Sequence, residues 1–500
     1  HTFMKKILAI LLAAVLAAGL FAGCSGDSAS SGSEYDQVVY AYATFNNIPT
    51  EEALDEVEEA INVITREKIG AEITLKPIAI ADYSQSVSLS LQGGEKIDIM
   101  ESIGDFNNYL STSMALDITE LIDTYAPETK ELVGEDWLAA CEYQGALYGI
   151  PDYKPLALTP MIIYRQDVAD ELGLDMSSVT CIEDLSDIFA QIKEAKPDMT
   201  PLAIVETGNV GVFNLPYGVD YLSDDYNQPV GVLIGDDMTV QDFYSTDLFL
   251  EKANLVRDWY NNGYVMKDAA TTTSTSTELM ASGNYFGWIA AYSYPEADTA
   301  ASFVSQCGGY PLAAKTLDAA YLTTGGVNSI SWMLAANTQV PEAAMKFLNL
   351  TYTDAEIANL IIWGLEGRDY VLDENGNAAY PEGQDATTVP YTAQISCGVV
   401  GNQFIQYLPV GSSYESLEWE LEQNRTADTS PAMGFSFDSA NYTTQYTAVR
   451  NVLTQYLPGI FCGSVDPATE VPKMIEALND AGYQDILTAK QEQLDAWMAQ

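Results

Sequence analysis

Residues 38–45 read VVYAYATF, Leu54, Val57, Ile61 and Ile64 recur at helical spacing after them, and residues 97–100 read IDIM; their order decides the fold. The first stretch is apolar, rich in β-branched and aromatic residues, and of strand length. Thr50 stands where a helix needs an N-cap, and the apolar periodicity continues to Gly70, a stop signal. Ile73 and Leu75 alternate as a second strand that ends before Pro77. A second helical pattern over 81–91 runs into Gly93 and Gly94, and 97–100 reads as a buried strand end. Strand, helix, strand, helix, strand predicts a mostly parallel sheet with helices on both faces, an α/β fold.

Working outward, a helix is expected over 118–125, and 147–151 closes this unit. A second αβ region follows, with strands at 160–164, 202–206 and 285–291 and helices at 167–172, 182–196 and 247–262. Further on come a stretch at 330–335, a helix over 341–350 with Pro341 in its first turn, and a helix over 354–363 capped by Asp354. Asn375-Gly376 centres a hairpin over 371–379. Residues 383–442 read mostly as loop, and amphipathic helices over 446–456, 471–481 and 484–498 end the chain. There is no internal repeat.

The chain has 500 residues, 21 Lys+Arg against 71 Asp+Glu, and a formal net charge of −50. At roughly 150 residues per domain this is two or three domains, each able to bury a core. The imbalance comes from few cations: only 18% of residues are charged, and 31 Tyr, 15 Phe and 7 Trp argue for a folded protein. Such a surface repels phosphate backbones and anionic headgroups, so nucleic acid and electrostatic membrane docking are poor partners. The one histidine is His1, in a His-Thr-Phe leader before Met4. That removes His general bases, Ser/His/Asp and Cys/His triads, and His-based metal sites.

Lys5 and Lys6 precede an apolar run over 7–21 of signal-peptide length, so 1–23 is expected to be a signal peptide with a leader remnant. The run ends Leu20-Phe21-Ala22-Gly23-Cys24, which resembles a bacterial lipobox, with Phe21 where Leu is usual. Cys24 is the expected lipidation site, and 24–36 the anchor and polar flexible tether. The other cysteines, Cys141, Cys181, Cys307, Cys397 and Cys462, include no close pair and no C-x-x-C. They read first as small buried hydrophobes, with distant bridges as the second reading, and no metal site or cofactor is expected.

Neither a P-loop nor a dinucleotide fingerprint is present. Paired carboxylates can be nominated anywhere among 71 acids, so no pair is informative. Asp373-Glu374-Asn375-Gly376-Asn377 lacks the bidentate Glu of a calcium loop and reads as the hairpin turn. The aromatics say more. Sugar rings present C–H faces that stack on aromatic rings, while their hydroxyls need carboxylate, amide and carbonyl partners. Tyr292 and Tyr294 follow one strand, at the edge where such sheets open into a crevice; Ser102 and Asp105 follow another; Asp152 and Tyr153 follow Pro151. Each taken singly fits core packing or a solvated loop as well.

Gly94-Glu95-x-Ile97-Asp98-Ile99, Ala115-Leu116-Asp117-Ile118-Thr119-x-Leu121 and Gly145-Ala146-Leu147-Tyr148-Gly149-Ile150-Pro151 together resemble the N-terminal lobe of sugar-type extracellular solute-binding proteins of ABC importers. Residues 337–350 (NTQVPEAAMKFLNL) resemble their helix lead-in, and the tail from Gly434 is similar to the LipO-like lipoproteins of Gram-positive bacteria. The resemblance implies a two-lobed, type II, Venus-flytrap fold with discontinuous lobes and a helical C-terminal extension. Lobe 1 would comprise 37–155 and about 315–365, and lobe 2 would comprise 156–314 and about 366–500. It further implies that Asp105 contacts sugar hydroxyls, that Ser102 replaces a stacking aromatic, and that Tyr292 stacks from the second lobe, with Phe213 and Asn214 as weaker candidates. The implied protein is a non-enzymatic, monomeric receptor on the outer face of the cell membrane, held by lipid alone. It would pass a carbohydrate, most simply an oligosaccharide, to ABC permease subunits. A receptor for peptides or another small solute, and a surface polysaccharide hydrolase or lyase, are the alternatives.

Overall fold

A computed structural model describes residues 33–204, 211–213, 215–393 and 398–500. The expected signal peptide, Cys24, most of the tether, Asn214 and Cys397 lie outside the described residues.

Strand β1 (Asp36–Thr44) leads to helix α1 (Glu51–Ile69), whose first turn is capped as the sequence predicts: the Thr50 side chain accepts from the Ala53 N–H. Gly70 ends the helix at φ 67°, a left-handed conformation that glycine adopts without a Cβ penalty. Strand β2 (Ala71–Ala79) runs parallel to β1 in unbroken register from Asp36↔Ala71 to Thr44↔Ala79. It continues past Pro77, contrary to the expected stop, because β2 is an edge strand and the missing N–H of Pro77 removes no ladder partner on its free side. Helix α2 (Tyr83–Gln92) returns the chain to β3 (Ile99–Ile103), and β4 (Ile150–Pro151) supplies the opposite edge.

The second sheet draws on β5 (Thr159–Arg165), β6 (Thr200–Leu202), β7 (Tyr285–Tyr292) and β8 (Leu312–Thr316), in the order β8-β5-β7-β6. It is mixed: β7 pairs antiparallel with β5, Tyr292↔Thr159, and parallel with β6. Gly287 is required there, since a Cβ would stand 2.6 Å from the Ile163 carbonyl oxygen. The chain then returns to the first sheet as β9 (Ile330–Leu334), giving the order β2-β1-β3-β9-β4. Helices α3 (Pro341–Thr353) and α4 (Ala355–Trp363) follow, and Asp354 caps α4 by accepting from the Glu356 and Ile357 N–H groups. The hairpin on Asn375-Gly376 forms, with Asp373 Oδ1 accepting from the Asn375 and Asn377 N–H groups.

Two main cores result. The first takes buried residues from 38–157 and 320–400; the second takes them from 162–317 and 432–494. A smaller third core, with Met161, Ile163, Trp288 and Ala290, lies on the other face of the second sheet. The chain therefore crosses between bodies at 157–161, 317–320 and 400–432. This corrects the expected placement of 366–400 in the second lobe: Tyr370, Ala378, Tyr391, Val399 and Val400 are buried in the first core. Tyr391 explains it, donating to the Ile361 carbonyl at 2.6 Å and meeting the Tyr42 hydroxyl at 2.8 Å. Such a loop has no periodicity from which to read the core it joins. A second miss is α5 (Tyr414–Thr426), which stands in the stretch expected to be loop. Helices α6 (Thr443–Phe461), α7 (Pro467–Asp480) and α8 (Tyr483–Met498) close the second body. No helix among the described residues is long and apolar enough to cross a membrane.

Candidate functional site

In a parallel sheet the strands open at their carboxyl ends, where side chains leave the packed layer without leaving their scaffold. On the first sheet that edge carries Phe45 after β1, Asp105 after β3, and Asp152 and Tyr153 after β4. On the second it carries Tyr292 and Tyr294 at the end of β7, beside Thr159 at the start of β5.

The expected residues separate into two groups. Ser102 is fully buried inside β3, with its Oγ 3.5 Å from the Ser331 carbonyl, so it is a sheet-interior residue. Asp152 is also fully buried: Trp332 Nε1 donates to Oδ1 at 3.2 Å and Gln403 Nε2 to Oδ2 at 2.8 Å. Burial pushes its carboxyl up to about 7. Tyr153 packs between Trp137 and Phe404, at ring-centre distances of 5.7 and 5.5 Å, and its N–H donates to the Gly401 carbonyl. Phe213 is core, stacked at 4.5 Å on Phe461. These four hold structure together. For Ser102, Asp152 and Tyr153, position near a strand end does not tell which face the residue takes, and Phe213 ends a short 3-10 turn inside the second core.

Asp105, Tyr292 and Tyr294 keep accessible surface. Asp105 is half-buried and accepts from the Ile103 N–H at 2.8 Å, leaving its other oxygen outside that bond. Tyr292 is half-buried against Phe303, and its hydroxyl accepts from Trp288 Nε1 at 3.0 Å. Tyr294 is 45% exposed. The sequence reading passed over Phe45, which is 59% exposed at the end of β1; the rule that selected Tyr292 selects it too.

The larger omission is α5. Asn424 pins this helix to the first crossing: its Oδ1 accepts from the Leu156 and Ala157 N–H groups at 2.9 and 3.1 Å, and its Nδ2 donates to the Lys154 carbonyl at 2.7 Å. Trp419 packs on the third core alongside Tyr292 and Phe303. Glu420, only 6% exposed, has its carboxyl pushed up to about 7 by burial and by the like charge of Asp298, and its own charge reaches Tyr294. Ring faces, carboxylates and hydroxyls thus gather at the lip of the second sheet, joined to the crossing by one helix. Among the described residues no group of three His, Cys, Asp or Glu could hold a metal ion.

A family model described as a bacterial extracellular solute-binding protein matches residues 59–365, and one described as a domain of unknown function matches residues 431–499. A curated relative from Streptococcus pneumoniae serotype 4, a carbohydrate ABC transporter substrate-binding protein, is 26% identical over 511 residues, spanning 100% of this chain and 98% of its own. The solved N-glycan transport solute-binding protein NgtS of Streptococcus pneumoniae superposes with a TM-score of 0.74 at 23% identity, covering 93% of this chain and 99% of that one. Its complex with Man5GlcNAc gives 0.59 at 24% identity, with the same coverage. A solute-binding protein of Bifidobacterium longum infantis that binds HMO gives 0.62 at 14% identity, again covering 93% of this chain and 99% of that one.

Proposed function

The chain belongs to the bacterial extracellular solute-binding protein family, and from that premise we propose that it captures a carbohydrate outside the cell and delivers it unaltered to the permease of an ABC importer. Its fold is the two-lobed type II arrangement with a helical C-terminal region. An oligosaccharide is the ligand class that fits. The observation that carries this is the pairing of accessible ring faces with carboxyl groups in both lobes: Phe45 and Asp105 at the strand ends of one, and Tyr292 and Tyr294 at a strand end of the other, with the buried Glu420 of α5 behind them. Rings stack on sugar C–H faces, and carboxylate oxygens accept from hydroxyls. A ligand touching both lobes favours the closed form by its differential affinity for that form, which is the form a permease can distinguish.

Calorimetry with a panel of oligosaccharides and peptides tests the reading: an oligosaccharide should bind and be recovered intact, whereas peptide binding alone or a cleaved product would overturn it. The lipobox-like sequence supports anchoring through Cys24. Labelled palmitate should enter the wild-type chain and be absent from Cys24→Ala; equal labelling of both would dismiss the anchor.

A further inference from the structure

Away from the strand ends of both sheets, the second body contains a cavity of about 260 Å³ between α6 and the loops at 223–224 and 437–439. The buried Phe437 and Tyr446 form part of its wall, Ser439, Thr443 and Thr447 supply hydroxyls, and Arg450 supplies the charge at the rim. These six fall inside the segment matched by the model of a domain of unknown function.

The electrostatics here run against the rest of the molecule. In a chain with 71 acids and 21 Lys+Arg, the 19 residues of α6 contain no Asp or Glu, and Arg450 is their single charge. Arg450 is exposed and makes no ion pair among the described residues, its guanidinium lying 5.6 Å from the centre of the Tyr446 ring. The one acid of the lining, Asp224, is already engaged: Oδ2 accepts from Lys490 Nζ at 2.6 Å and the Val230 N–H at 2.7 Å, and Oδ1 from the Tyr446 hydroxyl at 2.8 Å. Asp224 and the buried Lys490 pair with each other, so Arg450 is the one unpaired charge of the lining among the described residues, with the exposed Asp438 in the adjoining loop. The Ser439 and Thr443 hydroxyls have no hydrogen-bond partner among the described residues, and Thr447 Oγ1, which donates to the Thr443 carbonyl, still offers lone pairs.

A forked guanidinium matches a carboxylate with two parallel hydrogen bonds, and a cluster of three hydroxyls matches the hydroxyls of a sugar ring. The volume is of the order needed for one such ring. We propose that this pocket is a second ligand site, separate from the cleft, for a sugar acid of monosaccharide size whose carboxylate pairs with Arg450.

Titration of the full chain with D-glucuronate, D-glucose and acetate, followed by calorimetry and by NMR of the ligand, tests it. Glucuronate should bind at least about tenfold more tightly than glucose or acetate, since each partner lacks half of the recognised chemistry. Arg450→Gln, at an exposed position, should lose about tenfold or more in glucuronate affinity, with Arg450→Lys in between because it keeps the charge and loses the fork. Oligosaccharide binding in the cleft should be equal in all three proteins, so the two sites fail independently. No glucuronate binding, equal binding of glucose, or unchanged glucuronate binding by Arg450→Gln would each overturn the proposal.

Discussion

The strand ends of the two lobes differ in what their polar groups are doing. In the first lobe the acids face inward: Asp152 holds Trp332 and Gln403, and Glu101 Oε1 accepts from the Ala43 N–H at 2.6 Å while its Oε2 has no hydrogen-bond partner among the described residues. Phe45 and Asp105 keep a face outward. In the second lobe the rings are at the lip, Tyr294 open and Tyr292 half-open, with Glu420 close behind. Buried acids set the pH response of stability, whereas the open rings are the proposed ligand contacts, so the two lobes should answer to different perturbations.

The largest separation should come from pH. Asp152 has a folded pKa raised from 3.8 to about 7, so its folded form binds more protons than the unfolded chain between those values. Its stability contribution is complete below the unfolded value and is lost as pH rises through about 7. Relative to Asp152→Asn, wild-type unfolding free energy should fall by up to about 4 kcal/mol between pH 4 and 7.5 in urea titrations. Parallel pH curves for the two proteins would mean that Asp152 is not held as described. Glu420, raised to about 7 for the same main reason, acts in the same direction with a smaller share because it is less buried.

Next in size is the tie between lobes. Asn424→Ala removes three hydrogen bonds to the crossing backbone and should destabilise the chain by about 2 kcal/mol, while oligosaccharide binding weakens in step. Loss of stability with unchanged affinity would show that α5 anchors without orienting the lip.

The smallest effects sharpen the contrast most. Tyr294→Ala should weaken oligosaccharide binding by ~1–2 kcal/mol, and Phe45→Ala by ~1 kcal/mol, with melting points nearly unmoved because both rings are exposed. If Phe45→Ala costs more than Tyr294→Ala in calorimetry, the first lobe carries the stacking and the contrast between lobes reverses.

The helix α1 and its neighbours were legible because Thr50, the apolar spacing and Gly70 all point the same way. The segment 366–400 and α5 were not. In α5, Leu417, Trp419 and Leu421 fall at spacing two, while Ser416, Glu420 and Asn424 are buried, so its inward face is polar and carries no hydrophobic stripe. Ser102 and Asp152 looked like Asp105 in the chain, because the apolar runs 97–100 and 147–151 end before them, although β3 in fact continues through Ser102 to Ile103.

From the residues alone follow the alternation of strands and helices, the absence of histidine chemistry from residue 2 onward, and the family. These are properties of local periodicity, composition and motif order. Tertiary structure decided which strand-end side chains are open, which core the 366–400 loop joins, and that a polar helix pins the crossing. Those depend on which surfaces are covered by segments hundreds of residues away, as with Gln403 on Asp152, and no local pattern encodes that distance.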